Sequence, residues 1–350
     1  MSRDRAERSA WIIGVVALLV AVVGWVLRPD GFAFAWLAAL TAWIGWPLGC
    51  LALLLTHALT GGRWGEMIRS QLLAGIATLP LLLPAILPLL FLLQHLYPWL
   101  RPQEAADLTN RFYLNLPFAV TRGAVYLIIW FGLAAVTVRA VRRGSSLMVI
   151  APIGLILLGL TVTFAAIDAT MSLDPHFISS DYGMIAAAEG GLFALSICVF
   201  ASAMNPETAP ITLDDLGRLL LGLTVLWAYL DFVQLLIVWQ SDLPDEAPWY
   251  IVRSSSGWGT VAAVLAGGHF LLPFFALMSP SLRRSRRGIA AIAVLLIAME
   301  MLRAWWLVLP ASGHGANWID VAAMLALAAL STALALRGPR IPAILRAHHG

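Results

Sequence analysis

Ten apolar runs, each close to bilayer length, follow one another along 350 residues and leave no stretch for a separate water-soluble domain. An α-helix needs about 20 consecutive apolar residues to cross the hydrocarbon core. In lipid its backbone groups must also be satisfied within the segment, which leaves helices or closed barrels as the spanning structures. The runs fall at about 11–27, 34–59, 70–97, 116–138, 146–171, 183–203, 216–240, 256–279, 288–309 and 317–336. They predict an all-α integral membrane protein of about ten transmembrane helices, residues 1–350 forming a single polytopic membrane domain. Composition agrees, with 12% charged residues where a soluble domain carries about 25%.

The third run holds Pro80, Pro84 and Pro88 at intervals of four. Proline inside a helix removes a backbone hydrogen bond and kinks the chain, so a bent helix is expected there. The first run passes into Pro29-Asp30-Gly31 without a small-residue cleavage pattern, and no cleavable leader is expected.

All 22 Lys-plus-Arg positions are arginine. Covalent lysine chemistry is therefore excluded. An even number of spans puts both termini on one face, with Arg3, Arg5, Arg8, Arg63, Arg69, Arg139, Arg142, Arg143, Arg218, Arg283, Arg284, Arg286, Arg287, Arg337, Arg340 and Arg346. The other face has only Arg28, Arg101, Arg111, Arg122 and Arg253, and Arg303 stays inside a span. Cytoplasmic loops carry the excess of positive charge, so both termini are expected in the cytoplasm. The arginine clusters are then explained by topology, and nucleic acid is not an expected partner.

Cys50 and Cys198 lie 148 positions apart in apolar runs, with no cysteine motif. The chain alone supplies no ligand set for an iron–sulfur cluster or an attached c-type haem. A b-type haem would need facing histidines at matched depth, and no span contributes two. Phosphate-loop, zinc and nucleophile-elbow patterns are absent as well.

Ionisable side chains within a bilayer are costly and mark function by default. Here they are His57, Asp168, Glu189, Asp231, His269, Glu300 and Arg303, with His95 and Asp320 nearer the outer boundary. By depth they form a ladder from His57 at the inner side, through His269 and Glu300, to Asp231, Glu189 and Asp168 towards the outer surface. Carboxylates and imidazoles can relay protons. Each also has a plainer account. Glu300 and Arg303 share a helical face and could neutralise each other, Asp231 and Gln234 could join helices, and His57 could cap its helix. Glu189 sits among Ala186, Ala187, Ala188, Gly190 and Gly191, which suggests close packing or a cavity. The outer loops are acidic and aromatic, with Glu104, Asp107, Asp174, Asp181, Asp242, Asp245, Glu246, Trp99, Trp249 and Tyr250. They suit an aromatic belt or a docking surface for an extramembrane partner.

Several segments carry a family resemblance. Residues 164–177, Phe-Ala-Ala-Ile-Asp-Ala-Thr-Met-Ser-Leu-Asp-Pro-His-Phe, resemble the FDWxMSLxPHW segment of the larger membrane subunits of alternative complex III, a quinol:cytochrome c oxidoreductase. His57 to Arg69 is similar to its HxLTGGxWxxxxR turn, and Tyr113-Leu114-Asn115 with Arg122 to its YLNxxFFxxR stretch. Trp227-Ala228-Tyr229 with Gln234 and Trp239, then residues 243–250, resemble FWAYxxFSQ and IWxxNLPEETxWY, and His269-Phe270 with Pro273-Phe274 resembles HFxxPF. The resemblance is closest to the ActF-type subunit of the NrfD and polysulfide-reductase membrane-subunit superfamily.

That resemblance implies two four-helix bundles, often with one flanking helix on each side, and no redox centre in the chain itself. It implies quinol as the electron source, with c-type haems and iron–sulfur clusters in partner subunits: an NrfD-like paralogue, a multihaem cytochrome c and an iron–sulfur protein. The chain would anchor them through a docking loop including Asp174, Pro175, His176, Trp249 and Tyr250, in a bacterial respiratory or photosynthetic membrane. A proton path would use His57, His269, Glu300, Arg303, Asp231, Glu189 and Asp168. Alternatively the chain binds quinol itself, with Asp168 or Asp231 accepting protons. A purely structural anchor and a proton-coupled secondary transporter remain readings from other classes. The chain departs from the resembled pattern at Ala169, where the family has Trp, and at Glu189, Asp231, Glu300 and Arg303.

Overall fold

The computed structural model describes residues 3–104, 108, 110–241, 243–313 and 315–337. Asp107, Asp242, Arg340 and Arg346 lie outside the described residues. The described residues form helices and turns and no strand. Ten of the helices are long and apolar enough to cross a membrane: α1 (Arg3–Leu27), α2 (Pro29–Thr60), α3 (Arg63–Leu96), α4 (Leu116–Arg142), α5 (Ile150–Leu173), α6 (Tyr182–Met204), α7 (Pro210–Ser241), α8 (Gly257–Met278), α9 (Arg286–Ser312) and α10 (Trp318–Arg337). This is a multi-pass membrane protein.

Several helices run past the apolar spans expected for them, because the ladder of backbone hydrogen bonds continues into polar flanking turns. α1 begins at Arg3 and α3 at Arg63, each adding a turn or more that is not apolar enough to register as a span. The proline-rich helix is bent, as its spacing predicts. Its α-helical geometry stops at Ile76, passes through one 3-10 turn at Leu79–Leu81 that contains Pro80, and resumes over Leu82–Leu96. Caps fix two starts, since Asn115 accepts the Phe118 N–H at 3.0 Å and Ser285 accepts that of Gly288 at 3.2 Å.

α2, α6 and α9 pack on one another and form the axis of the molecule. The α2–α6 approach is close enough to require glycine. A Cβ placed on Gly49 would stand 2.0 Å from the Gly190 carbonyl oxygen, and one on Gly45 would stand 3.1 Å from the Gly190 Cα. Small residues that let backbones touch are the usual means of joining helices in lipid, where apolar burial gives no preference for protein over solvent.

Around this axis, α2–α5 form one group of four helices and α6–α9 another, joined across α2, α6 and α9. The flanking helices differ from the arrangement the resemblance implies. α1 and α10 do not sit one on each side; they pack together and both rest on α2. The cause is the stripe Ala10, Gly14, Ala17, Ala21 and Gly24, which is the buried face of α1 and fits against Leu330 and Ile319 of α10. Both described ends lie on one face, where Arg3 Nε donates to the Leu336 carbonyl at 2.8 Å. This is the termini face; the other is the far face.

Candidate functional site

α9 brings two ionisable side chains into the second group of helices one turn apart. Arg303 is 4% exposed and Glu300 is 6% exposed. The plain expectation, that they neutralise each other, is not what their geometry gives. Arg303 turns to two other helices, with Nε 2.9 Å from Glu189 Oε1 on α6 and Nη2 2.6 Å from Asp231 Oδ1 on α7. The Trp227 indole N–H of α7 reaches the same Glu189 oxygen at 3.2 Å.

Glu300 faces α8 instead. There the helix widens into a π-turn over Ala266–Leu271 that holds the fully buried His269. Such turns displace one residue out of the regular helical sequence and recur at functional sites. His269 Nε2 lies 3.2 Å from Glu300 Oε1, off the hydrogen-bonding direction, and its ring lies on Trp227 at 3.9 Å between centroids. Trp227 therefore touches both halves of the group. Three carboxylates meet one guanidinium and one imidazole, so the net charge of the group is set by how many protons it holds.

Asp168 belongs to a second site near the far face. Arg122 grips it with two hydrogen bonds, Nε to Oδ2 at 2.9 Å and Nη2 to Oδ1 at 2.8 Å, while the Tyr126 hydroxyl donates to Oδ2 at 2.7 Å. The Arg122 guanidinium also lies 3.8 Å from the Tyr113 ring centroid and donates to the Tyr113 carbonyl at 3.0 Å. Burial, and then the Asp168 charge, push the Tyr113 phenol above its ordinary range.

A cavity of about 600 Å³ joins the two sites. It lies between the two groups of helices, walled by α2, α3, α4, α5 and α6, with Gln234 of α7 and Glu300, Arg303, Ala304 and Leu307 of α9 contributing to its lining. Most of its wall is aliphatic. Asp168, Tyr126 and Tyr97 stand among its lining, as do Glu189, Glu300 and Arg303. Asp231 is outside this lining, behind Arg303.

His57 joins neither site. It ends α2 on the termini face, where Nε2 is 2.8 Å from the Gly62 carbonyl oxygen and the ring meets Trp64 edge-on. The Gly61-Gly62 turn that follows has φ of 65° and 94°, the left-handed region that favours glycine. On the far face, Asp174, Pro175, His176 and Trp249 line a recess, but Trp249 is 2% exposed and stacks on Phe177 at 4.5 Å between centroids. Tyr250 turns away and accepts a hydrogen bond from Gln234 at 2.9 Å. Burial pushes its phenol up to about 12.

Sequence reasoning placed Arg122 in the charge distribution and in the resembled YLNxxFFxxR stretch but gave it no partner, and did not single out Tyr126. Equal depth was the available signal, because Arg122 lies six residues inside the start of α4 and Asp168 five residues inside the far-face end of α5. Cys50 and Cys198, 148 positions apart in sequence, meet side chain to side chain between α2 and α6. No protein-family model matches the chain, and no curated protein matches it.

Proposed function

We propose that this chain is a membrane subunit of a quinol-oxidising electron-transfer complex of the alternative complex III kind. It holds extramembrane haem and iron–sulfur subunits at its far face and moves protons through its buried ionisable groups. In this reading the termini face the cytoplasm of a bacterial cell, which the arginine distribution supports. The carrying observation is the group Glu189, Asp231, Glu300, Arg303 and His269, contributed by four helices, of which Glu300, Arg303 and His269 are buried and Glu189 and Asp231 partly so. A structural anchor has no use for such a group. A buried ion pair adds little net stability over apolar packing, so its presence argues for proton exchange.

A secondary transporter is disfavoured by the helix irregularities. Transporters of that kind carry broken helices at corresponding positions of two repeats. Here the 3-10 interruption is in the second helix of one group and the π-turn in the third helix of the other.

The cavity favours a second reading, in which this chain binds the quinol itself. Its volume and aliphatic wall suit an isoprenoid-bearing ring, and its polar residues stand where a hydroxyl could be held. Asp168 would be the acceptor, whereas Asp231 is shielded by Arg303.

Purification of the tagged chain in mild detergent, with mass spectrometry and a reduced-minus-oxidised spectrum, tests the assignment to a redox complex. Co-purified c-type haem and an iron–sulfur protein support it; a lone colourless protein refutes it. In vesicles, Glu300→Gln is expected to change the proton-to-electron ratio, and an unchanged ratio rejects conduction. Loss of quinol oxidation in Asp168→Asn at full assembly would favour the cavity as the quinol site.

A further inference from the structure

Four arginines are buried among the described residues, and three of them have carboxylate partners: Arg122 with Asp168, Arg283 with Asp214, and Arg303 with Glu189 and Asp231. The fourth is Arg253, in the short far-face helix Ala247–Ser254, and it makes no ion pair among the described residues. It is 4% exposed. Its Nη1 donates to the Trp249 carbonyl at 3.1 Å and its Nη2 to the Leu307 carbonyl at 2.6 Å, while Nε has no acceptor. The guanidinium carbon lies 3.6 Å from the Trp249 ring centroid. This stacking offsets part of the cost of desolvation, two carbonyls offset more, and the Asp174 charge acts on the guanidinium without forming an ion pair with it. Burial accordingly draws this guanidinium down to about 10.

Arg253 lines the far-face recess, which has a volume of about 620 Å³. The recess also contains Glu104, Asp174 and His176. Neither carboxylate is turned to Arg253: Glu104 is held by Arg101 at 2.8 Å, and Asp174 accepts the His176 backbone N–H at 3.2 Å. The recess thus combines a buried cation that makes no ion pair among the described residues with two carboxylates hydrogen-bonded elsewhere.

We propose that this recess is a docking pocket for one acidic side chain of an extramembrane protein, seated on Arg253, with basic neighbours of that side chain facing Glu104 and Asp174. The inference rests on the anchoring role proposed above and names its chemistry. A carboxylate would supply the ion pair that Arg253 lacks, with two oxygens that match the guanidinium fork. A phosphate group would carry more charge past the two carboxylates of the same recess, whereas a protein segment brings its own cations beside a single acid. Position favours protein over lipid too, because most of the recess is built from loops and the short helix Ala247–Ser254, with Leu173, Pro310 and Ala311 at the far-face ends of α5 and α9.

The test places the photo-crosslinking residue p-benzoylphenylalanine at Val252, which lines the recess and is 46% exposed. The full chain is irradiated in native membranes and the crosslinked peptide is identified by mass spectrometry. Expected is a segment of an extramembrane protein with Asp or Glu beside Lys or Arg. Its yield should fall about tenfold or more in Arg253→Gln, the scale for removing one partner of a buried charge pair, and fall less in Arg253→Lys, which keeps the charge and loses the planar fork. If Arg253→Gln does not fold, Arg253→Glu combined with the reverse change at the crosslinked acid should restore the yield. Crosslinks to lipid alone, to a segment without an acid, or at undiminished yield in Arg253→Gln overturn the proposal. If extramembrane subunits co-purify but none is reached from position 252, the docking chemistry fails and anchoring stands. If none co-purifies, anchoring fails with it.

Discussion

Replacing Arg303 by methionine keeps an unbranched apolar stem and removes the one guanidinium at the centre of the buried group. Two carboxylates then lose their partner together, Glu189 at 2.9 Å and Asp231 at 2.6 Å. Breaking a buried pair from one side costs about 3–5 kcal/mol, because the remaining charge is left without compensation. Asp231 retains some access to its surroundings, with a side chain 32% exposed against 15% for Glu189, so most of the loss is assigned to Glu189. The expected destabilisation of Arg303→Met is therefore about 3–4 kcal/mol, from the range for one buried pair. Reversible unfolding in mixed micelles of dodecyl maltoside and SDS measures it. The companion variant carries Arg303→Met, Glu189→Gln and Asp231→Asn, and should recover most of the loss, since neutral amides left in place of the carboxylates need no counter-charge. A loss below about 1 kcal/mol, the level of an exposed pair, would refute the reasoning. So would a triple variant no more stable than the single one.

Asp168→Asn should destabilise by about 3 kcal/mol, as one side of a buried pair is removed, and the added change Arg122→Gln should restore part of it in the same titration. Gly49→Ala should cost about 1–3 kcal/mol by overpacking, since the new methyl would meet the Gly190 backbone at 2.0 Å; Gly123→Ala, with open space at its Cβ, should not. Cys50 and Cys198 are both fully buried, so maleimide should label neither in the folded protein and both after unfolding, read by mass.

The spans and the even topology were legible because apolar runs and arginine placement report directly on the bilayer. α3 could be foreseen as bent because Pro80 has a fixed structural consequence wherever it sits in a helix. The neighbours of each ionisable residue were not legible, because they depend on helix rotation and depth, which a hydropathy pattern does not encode. Glu300 and Arg303 illustrate this: three positions apart, they share a face, yet Arg303 reaches α6 and α7 while Glu300 meets the π-turn of α8. The π-turn itself has no signature in the run Ala266–Leu271 beyond its two glycines. His57 was grouped with the buried set because it is ionisable and near a span, but its partner is the carbonyl of the next turn.

The four ionisable positions at which the chain departs from the pattern it resembles are Glu189, Asp231, Glu300 and Arg303. In space they are one group, joined by ion pairs and by Trp227 and His269. Any one of these charges alone would be expensive in the membrane interior, whereas the set shares its cost among partners. Such changes are tolerable together and not singly. Yet mutual compensation explains only why the group is permitted. Apolar side chains of similar volume would pack these helices without the desolvation cost, and three carboxylates against one guanidinium leave the balance to bound protons. The set therefore has one property that packing does not require: a charge balance that bound protons would set. Glu189, Glu300 and Arg303 also line the cavity that holds Asp168, which is the route the proposed proton exchange would use.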